Sequence, residues 1–116
     1  MRVLLDENVP VDLVSLLVDH DVKTVSGLGW DGVKNGELLL RMRGGFDALV
    51  TMDTKLPRQQ NLATQPFGVV LVEARSNRML HLRPLVPDIR AALDGIRRTT
   101  PGWCLTRACS SRAQTS

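Results

Sequence analysis

Short apolar runs that stop abruptly at acidic residues constrain the fold of this chain more than any other feature. The first run, Met1 to Leu5, is followed at once by Asp6, Glu7 and Asn8. A run that is apolar at nearly every position is typical of a strand buried on both faces of a covered parallel sheet. We therefore expect an α/β fold with these polar residues at the carboxyl end of the first strand.

A second run repeats this arrangement further along the chain. Residues 46–51 are predicted to form a strand that ends just before Asp53. Ligands of open α/β sheets bind in the crevice beyond the carboxyl ends of the strands, so Asp6 and Asp53 are candidates for one site. Glu37, in the first turn of the helix predicted between the two strands, is a third candidate. An acid in that position also stabilises the helix dipole, which is the local alternative.

The first acids have a local explanation as well. Asn8 is a good helix N-cap and Pro10 suits a first turn, so residues 6–8 could simply cap a helix predicted over 9–17. Neighbouring carboxylates repel one another unless a cation lies between them, and a divalent ion is the usual remedy. Because two strands each end at an Asp and Glu37 opens the helix between them, we favour a functional site over a set of caps.

The rest of the chain fits one domain with about four strands. We expect further strands over 20–25 and 67–72, helices over 35–43 and 85–96, and loops over 26–35 and 54–65. Residues 101–116 are rich in Ser, Thr and Arg, so they are expected to form a mobile tail. Cys104 and Cys109 are expected to be free thiols, because no His lies near them in the sequence.

Charge is distributed unevenly along the sequence. Residues 1–53 hold nine acidic and five basic residues, a net charge of −4, whereas residues 54–116 hold three acidic and ten basic residues, a net charge of +7. This asymmetry is what we expect if the basic part of the molecule binds a polyanion and acids in the other part bind a metal. The alternative is that the basic part is only a solvated surface. No membrane-length apolar run or signal-like start is present, so we expect a soluble, cytoplasmic protein.

These motifs resemble a known family. The order of predicted elements, with LLDEN at residues 4–8 and VTMD at residues 50–53, is similar to the PIN-like domains of bacterial and archaeal toxin–antitoxin toxins, in particular a small family whose members begin with a DEN motif. Segments 34–38, 56–62 and 76–78 resemble one branch of that family. The resemblance covers residues 1–100 and implies a three-layer α/β/α PIN-like domain that binds Mg²⁺ or Mn²⁺ and, in active members, cuts RNA.

The resemblance also implies roles for individual residues. Asp6, Glu37 and Asp53 would be the metal-binding and catalytic acids, with Asn8 supporting the site. Polar and basic side chains around these acids are candidates for binding the substrate, each with a solvated surface as its alternative: Asn8, Lys34, Asn35, Lys55, Arg58, Gln60 and Asn61. Aromatic residues make up only 3% of the chain, so base stacking is not expected to dominate RNA binding.

Two departures from the family pattern reduce the expected negative charge. Related sequences often carry Asp and Phe where this chain has Lys55 and Leu56, and an acid at the helix opening where this chain has Asn35. We therefore expect one metal ion rather than two.

The resemblance implies a metal-dependent endoribonuclease, the toxin of a toxin–antitoxin pair, with an antitoxin partner and a homodimeric assembly. The alternative is a catalytically weak or inactive PIN-like module that binds an antitoxin or RNA. A phosphatase-like or haloacid-dehalogenase-like enzyme with Asp6 as nucleophile is less well supported, because no second Asp follows two residues later.

Overall fold

The computed structural model describes residues 1–59, 65–98 and 105–109. In chain order the elements are β1 (Arg2–Leu5), a 3₁₀ helix (Val11–Leu16), β2 (Asp21–Thr24), α1 (Asn35–Met42), β3 (Ala48–Thr51), α2 (Leu56–Gln59), β4 (Gly68–Glu73), α3 (Met79–Leu82), a 3₁₀ turn (Arg83–Leu85), α4 (Val86–Arg98) and β5 (Leu105–Cys109). Within these ranges, no helix combines the length and apolar character needed to cross a membrane.

All five strands belong to one sheet with the order β2-β1-β3-β4-β5, and every neighbouring pair is parallel. The chain runs from β1 outward to β2 and then crosses back, so that β3 lies on the other side of β1. This reversal places a topological switch point between β1 and β3. In such sheets the crevice beyond the carboxyl ends of the two strands is open to a ligand.

Side chains of the central strands alternate between two cores, one on each face of the sheet. In β1, Val3 and Leu5 join one core and Leu4 joins the other. In β3, Val50 belongs to the first core and Leu49 to the second. Because both faces are covered by apolar side chains from helices, the protein has three layers. The predicted α/β class and its parallel sheet are therefore confirmed.

Helices divide between the two faces according to their apolar residues. The 3₁₀ helix, through Leu13, packs on the same face as α4, whose Ile89 and Leu93 are fully buried. On the opposite face, α1 contributes Leu38 and Met42 to the second core. Burial of one such side chain stabilises the fold by about 1.5–3 kcal/mol. Packing of this kind compensates for the short length of α1, since isolated helices of its size are unstable in water.

The first helix differs from the prediction of a regular helix over 9–17. Pro10 is extended (φ −66°, ψ 142°), and only Val11–Leu16 is helical, in the 3₁₀ form and without a side-chain cap. The N–H of Val9 donates to the carbonyl of Asp6 across 2.9 Å, and the Val9 side chain is buried in the first core. Val9, which the prediction assigned to the helix, is therefore the last residue of a turn that precedes it.

Strand β5 corrects part of the predicted mobile tail. Residues 105–109 pair in parallel with β4 from Val69 to Glu73. Without this partner β4 would be an edge strand with unpaired backbone groups beside buried valines, an arrangement that proteins avoid. The rest of the predicted tail, including Cys104, lies outside the described residues.

One glycine permits a close approach between the sheet and α4. A Cβ atom added to Gly68, the first residue of β4, would lie 2.6 Å from Cδ1, 2.7 Å from Cγ1 and 2.8 Å from Cγ2 of Ile96. The space that a side chain would occupy is thus filled by Ile96. Only glycine lets α4 pack against the start of β4 at this distance.

Candidate functional site at the switch point

The site lies where β1 and β3 end next to each other. Asp6 follows β1 directly, and its N–H donates to the carbonyl of Val50 across 2.9 Å, so the pairing of the two strands continues into the site. Asp53 follows β3 by two residues. Both acids therefore lie at the carboxyl edge of the sheet, beside the switch point, as the sequence predicted.

Asp6 is a buried carboxylate, only 6% exposed. Its Oδ1 accepts a hydrogen bond from the N–H of Glu7 at 2.8 Å, and its Oδ2 accepts one from the Thr51 hydroxyl at 2.7 Å. Burial of a carboxylate costs free energy unless such donors replace water. The two donors are the neighbouring backbone N–H and a hydroxyl of β3, and neither is an N–H of the helix that follows. The Asp6 side chain therefore does not cap that helix. The local explanation as a helix cap is wrong for this residue.

Thr51 connects the two acids. Its side chain is fully buried, and its hydroxyl oxygen both donates to Asp6 and accepts the N–H of Asp53 at 3.1 Å. Thr51 is the last residue of β3 and Asp53 lies two positions beyond it, so the bond from the Asp53 N–H to the Thr51 hydroxyl is a local one that holds the backbone at the strand end. A single hydroxyl group thereby fixes the positions of both acids.

The Asp53 carboxylate is held by neighbours on two elements. Oδ1 accepts the N–H of Lys55 at 2.9 Å, and Oδ2 accepts Nδ2 of Asn35 at 3.0 Å. Asn35 is the first residue of α1, so the N-terminus of this helix is tied to the end of β3. The helix N-cap is Lys34 rather than the predicted Asn35, and no side chain caps the helix there.

Glu37 does not join Asp6 and Asp53. Successive residues of a helix are rotated by about 100°, so Glu37 points about 200° away from Asn35. Its Oε2 instead lies 3.5 Å from Nε of Arg41, and both side chains are substantially exposed. Among the described residues no three His, Cys, Asp or Glu side chains lie close enough together to hold a metal ion. The predicted cluster of three carboxylates is therefore not formed in this structure.

The donor set at the switch point still suits a hard cation. Asp6 and Asp53 supply carboxylate oxygens, the Thr51 hydroxyl lies between them, and Asn35 carries an amide oxygen beside Asp53. Magnesium characteristically binds through one or two carboxylates and retains several waters. Asp6 and Asp53 are therefore the residues at this edge of the sheet that could hold such an ion.

A surface cleft of about 740 Å³ opens beside these residues. Its lining comes from the end of the loop after β2, the first turn of α1 and the last residue of α2: Gly32, Val33, Lys34, Asn35, Gly36, Glu37 and Gln59. Asn35 both lines this cleft and contacts Asp53. The cleft therefore lies next to the acids, and Glu37 belongs to its wall.

Asn8 ties three loops at the carboxyl edge of the sheet. Its side-chain oxygen accepts the N–H of Met52 at 3.2 Å, and its backbone carbonyl accepts Nδ2 of Asn77 at 3.4 Å. The segments that follow β1, β3 and β4 are joined by these bonds. Asn8 thus supports the backbone around the acids, and its side chain, like that of Asp6, does not cap the first helix.

The other residues predicted to bind substrate fall into three groups. Lys34 and Asn35 lie on the cleft, the former exposed and the latter half-buried. Lys55 is exposed and contacts Asp53 through its backbone N–H. Arg58 lies in α2, but its side chain lies outside the described part of the chain, as do Gln60 and Asn61.

Sequence reasoning missed two residues that organise the site. Thr51 was placed in the third strand without a role, although a Thr two positions before another residue can accept that residue's backbone N–H. Asn77 was noted only as part of a family-like segment. Its contact with Asn8 spans 69 positions of the chain, and no local pattern indicates such a contact.

Comparison of this chain with protein-family models, with curated proteins and with solved structures finds no match.

Proposed function

We propose that this protein is a PIN-like, metal-dependent ribonuclease that hydrolyses RNA phosphodiester bonds at the switch point between β1 and β3. One observation carries the proposal: the buried Asp6 and the half-buried Asp53 are joined through the Thr51 hydroxyl at the carboxyl edge of a parallel sheet. Parallel α/β sheets bind their ligands at this position. Two fixed carboxylates there favour a Mg²⁺ or Mn²⁺ ion as cofactor.

The side chains have distinct roles in this proposal. Asp6 and Asp53 hold the ion, Thr51 fixes the orientation of the Asp6 carboxylate, and Asn35 steadies Asp53 from α1. When bound, a divalent ion neutralises phosphate charge and lowers the pKa of a coordinated water. An Asp carboxylate oxygen is the group within the site that can accept a proton from the attacking water.

The neighbouring cleft is the proposed path of the RNA strand. It adjoins Asp53 through Asn35, and its rim carries the exposed amine of Lys34. Lys55, exposed beside Asp53, adds a second cation for the phosphate backbone. Contacts of this kind bind the backbone without reading sequence, so binding is expected to weaken as the salt concentration rises.

The second candidate function is a binding module that no longer cleaves RNA. It is favoured by the pairing of Glu37 with Arg41, away from the two Asp residues, and by the amide of Asn35 beside Asp53. An uncharged amide holds a cation less strongly than a carboxylate does. In this alternative the same surface binds RNA or an antitoxin without hydrolysis.

An RNA cleavage assay with added Mn²⁺ separates the two functions. The test compares the natural protein with Asp6→Asn and Asp53→Asn, and Asp12→Asn is the matched control because Asp12 is an exposed acid on the 3₁₀ helix. A ribonuclease loses cleavage in the first two variants and keeps it in the control. Mn²⁺ binding without cleavage in the natural protein supports the module, and cleavage that survives both substitutions indicates a contaminating nuclease.

The proposal extends to partners and location through the PIN-like resemblance alone. We include a cytoplasmic site of action, a neutralising antitoxin protein and a homodimer. Light scattering on the purified chain checks the dimer, because a mass of 12.8 kDa is expected for the monomer and twice that value for the dimer.

A further inference from the structure

The loop after β4 brings exposed basic side chains to the same edge of the sheet as the acids. Residues 74–78 follow Glu73, the last residue of β4, and include Arg75 and Arg78, both of which are exposed. The sequence holds no acidic residue from 74 to 87. Within the described part of the chain, no carboxylate lies within 4.0 Å of either guanidinium, since the ion pairs there involve other residues.

Hydrogen bonds fix this loop against the site. The Ser76 hydroxyl accepts the N–H of Arg78 at 3.2 Å and lies 2.7 Å from Nδ1 of His81 in α3. Asn77, which lies between the two arginines in sequence, donates its amide to the backbone of Asn8. The backbone that carries both arginines is thus tied to the segment that follows β1.

Strand order sets the separation between the loop and the acids. β4 lies next to β3 and pairs its Leu71 with Thr51, so it continues for two residues, about 7 Å, beyond the end of β3. The Debye length at physiological ionic strength is about 8 Å. Exposed charges on the loop after β4 therefore add to the electrostatic potential that an anionic ligand meets at this edge of the sheet. The cleft lined by Lys34 is formed by residues that follow β2 and by Gln59 of α2, whereas the two arginines follow β4.

We propose that the loop of residues 74–78 is a second phosphate-binding rim, in which Arg75 and Arg78 bind the backbone of a single RNA strand that also passes the cleft. This inference rests on the proposed function, because it assigns that function's substrate a path across the site. Arginine suits the role, since its planar guanidinium donates two parallel hydrogen bonds to a phosphate. An acidic protein partner would use the same charges, but the position beside the two Asp residues favours a substrate.

RNA binding measured without metal tests this rim separately from catalysis. Fluorescence anisotropy follows a labelled single-stranded RNA oligonucleotide in EDTA over a series of KCl concentrations. The double variant Arg75→Gln with Arg78→Gln is compared with Arg2→Gln plus Arg43→Gln. The control pair removes the same charge at the amino edge of the sheet, where β1 begins and α1 ends.

Loss of two phosphate contacts is expected to weaken binding about tenfold relative to the control pair and to lower the slope of log affinity against log salt by about 1.4. Circular dichroism confirms that both double variants are folded. Equal affinity and slope in the two double variants, or no RNA binding by the natural protein, overturns the inference. The arginines of the loop would then contact only solvent or a protein partner. Arginine-dependent binding without Asp6-dependent cleavage instead overturns the ribonuclease proposal and retains the rim.

Discussion

The Thr51 hydroxyl donates a hydrogen bond of 2.7 Å to the buried carboxylate of Asp6, and the two residues come from adjacent parallel strands. The same oxygen accepts the N–H of Asp53. A residue from the sheet interior thus sets the positions of both acids that the chain presents at the switch point.

Replacement of Thr51 by Val keeps the shape of the side chain and removes the hydroxyl. Asp6 then loses a donor inside the protein, and the free energy of unfolding is expected to fall by about 1–3 kcal/mol. Urea denaturation measures the loss. Thr51→Ser is the matched control because it keeps the hydroxyl and removes only a methyl group. A loss of stability in the Ser variant as large as that in the Val variant would show that packing, not the hydrogen bond, is responsible.

Asn35→Asp restores an acid at the opening of α1, beside Asp53. Without metal, the new carboxylate replaces an amide donor and repels Asp53, so stability is expected to fall by about 1–3 kcal/mol. With Mn²⁺ the added charge strengthens binding, so the rise in Tm on addition of Mn²⁺ should exceed that of the natural protein. Thermal unfolding with and without Mn²⁺ measures both effects.

Glu37→Gln provides the companion test in the same experiment. Because Glu37 pairs with Arg41 and not with the two Asp residues, its substitution should leave the Mn²⁺-dependent rise in Tm unchanged. A clear reduction would show that Glu37 reaches the ion after all, as the sequence predicted.

Gly68→Ala inserts a methyl group into space that Ile96 occupies. Such overpacking is expected to cost about 1–3 kcal/mol of unfolding free energy. Gly95→Ala is the matched control, because an added Cβ in α4 meets nothing within 4 Å there. The free energy of unfolding of the Gly95→Ala variant should rise by about 0.4–1 kcal/mol. Urea denaturation of both variants checks the pair.

A double variant shows whether a clash with Ile96 causes the loss of unfolding free energy expected for Gly68→Ala. Combined with Ile96→Val, which shortens the opposing side chain, Gly68→Ala should lose less stability than the two single changes add up to. Simple additivity would mean that the strain of Gly68→Ala arises elsewhere.

Regular periodicity explains why most of the layered fold could be predicted. Apolar runs that end at Asp6 and Asp53 identified two strands, and the spacing of Leu85, Ile89 and Leu93 identified the last helix, which starts at Val86. These signals are local, because burial on one face or two imposes a spacing on neighbouring residues. Strand β5 was missed because its pairing with β4 depends on a distant segment.

The site was predicted only in part for a similar reason. The positions of Asp6 and Asp53 follow from strand ends, which the sequence reveals. Whether Asn35 or Glu37 faces Asp53 depends on the rotation of α1, and a shift of two residues turns a side chain by about 200°. Helix boundaries carry uncertainties of about this size in sequence analysis.

Calorimetric titration of the purified chain with Mn²⁺ shows whether Asp6 and Asp53 share one divalent ion, as we propose. We predict one site per chain, abolished or weakened at least tenfold by Asp6→Asn and by Asp53→Asn and unchanged by Asp12→Asn. Binding of the same strength in all four proteins, or no binding by the natural chain, would contradict the account.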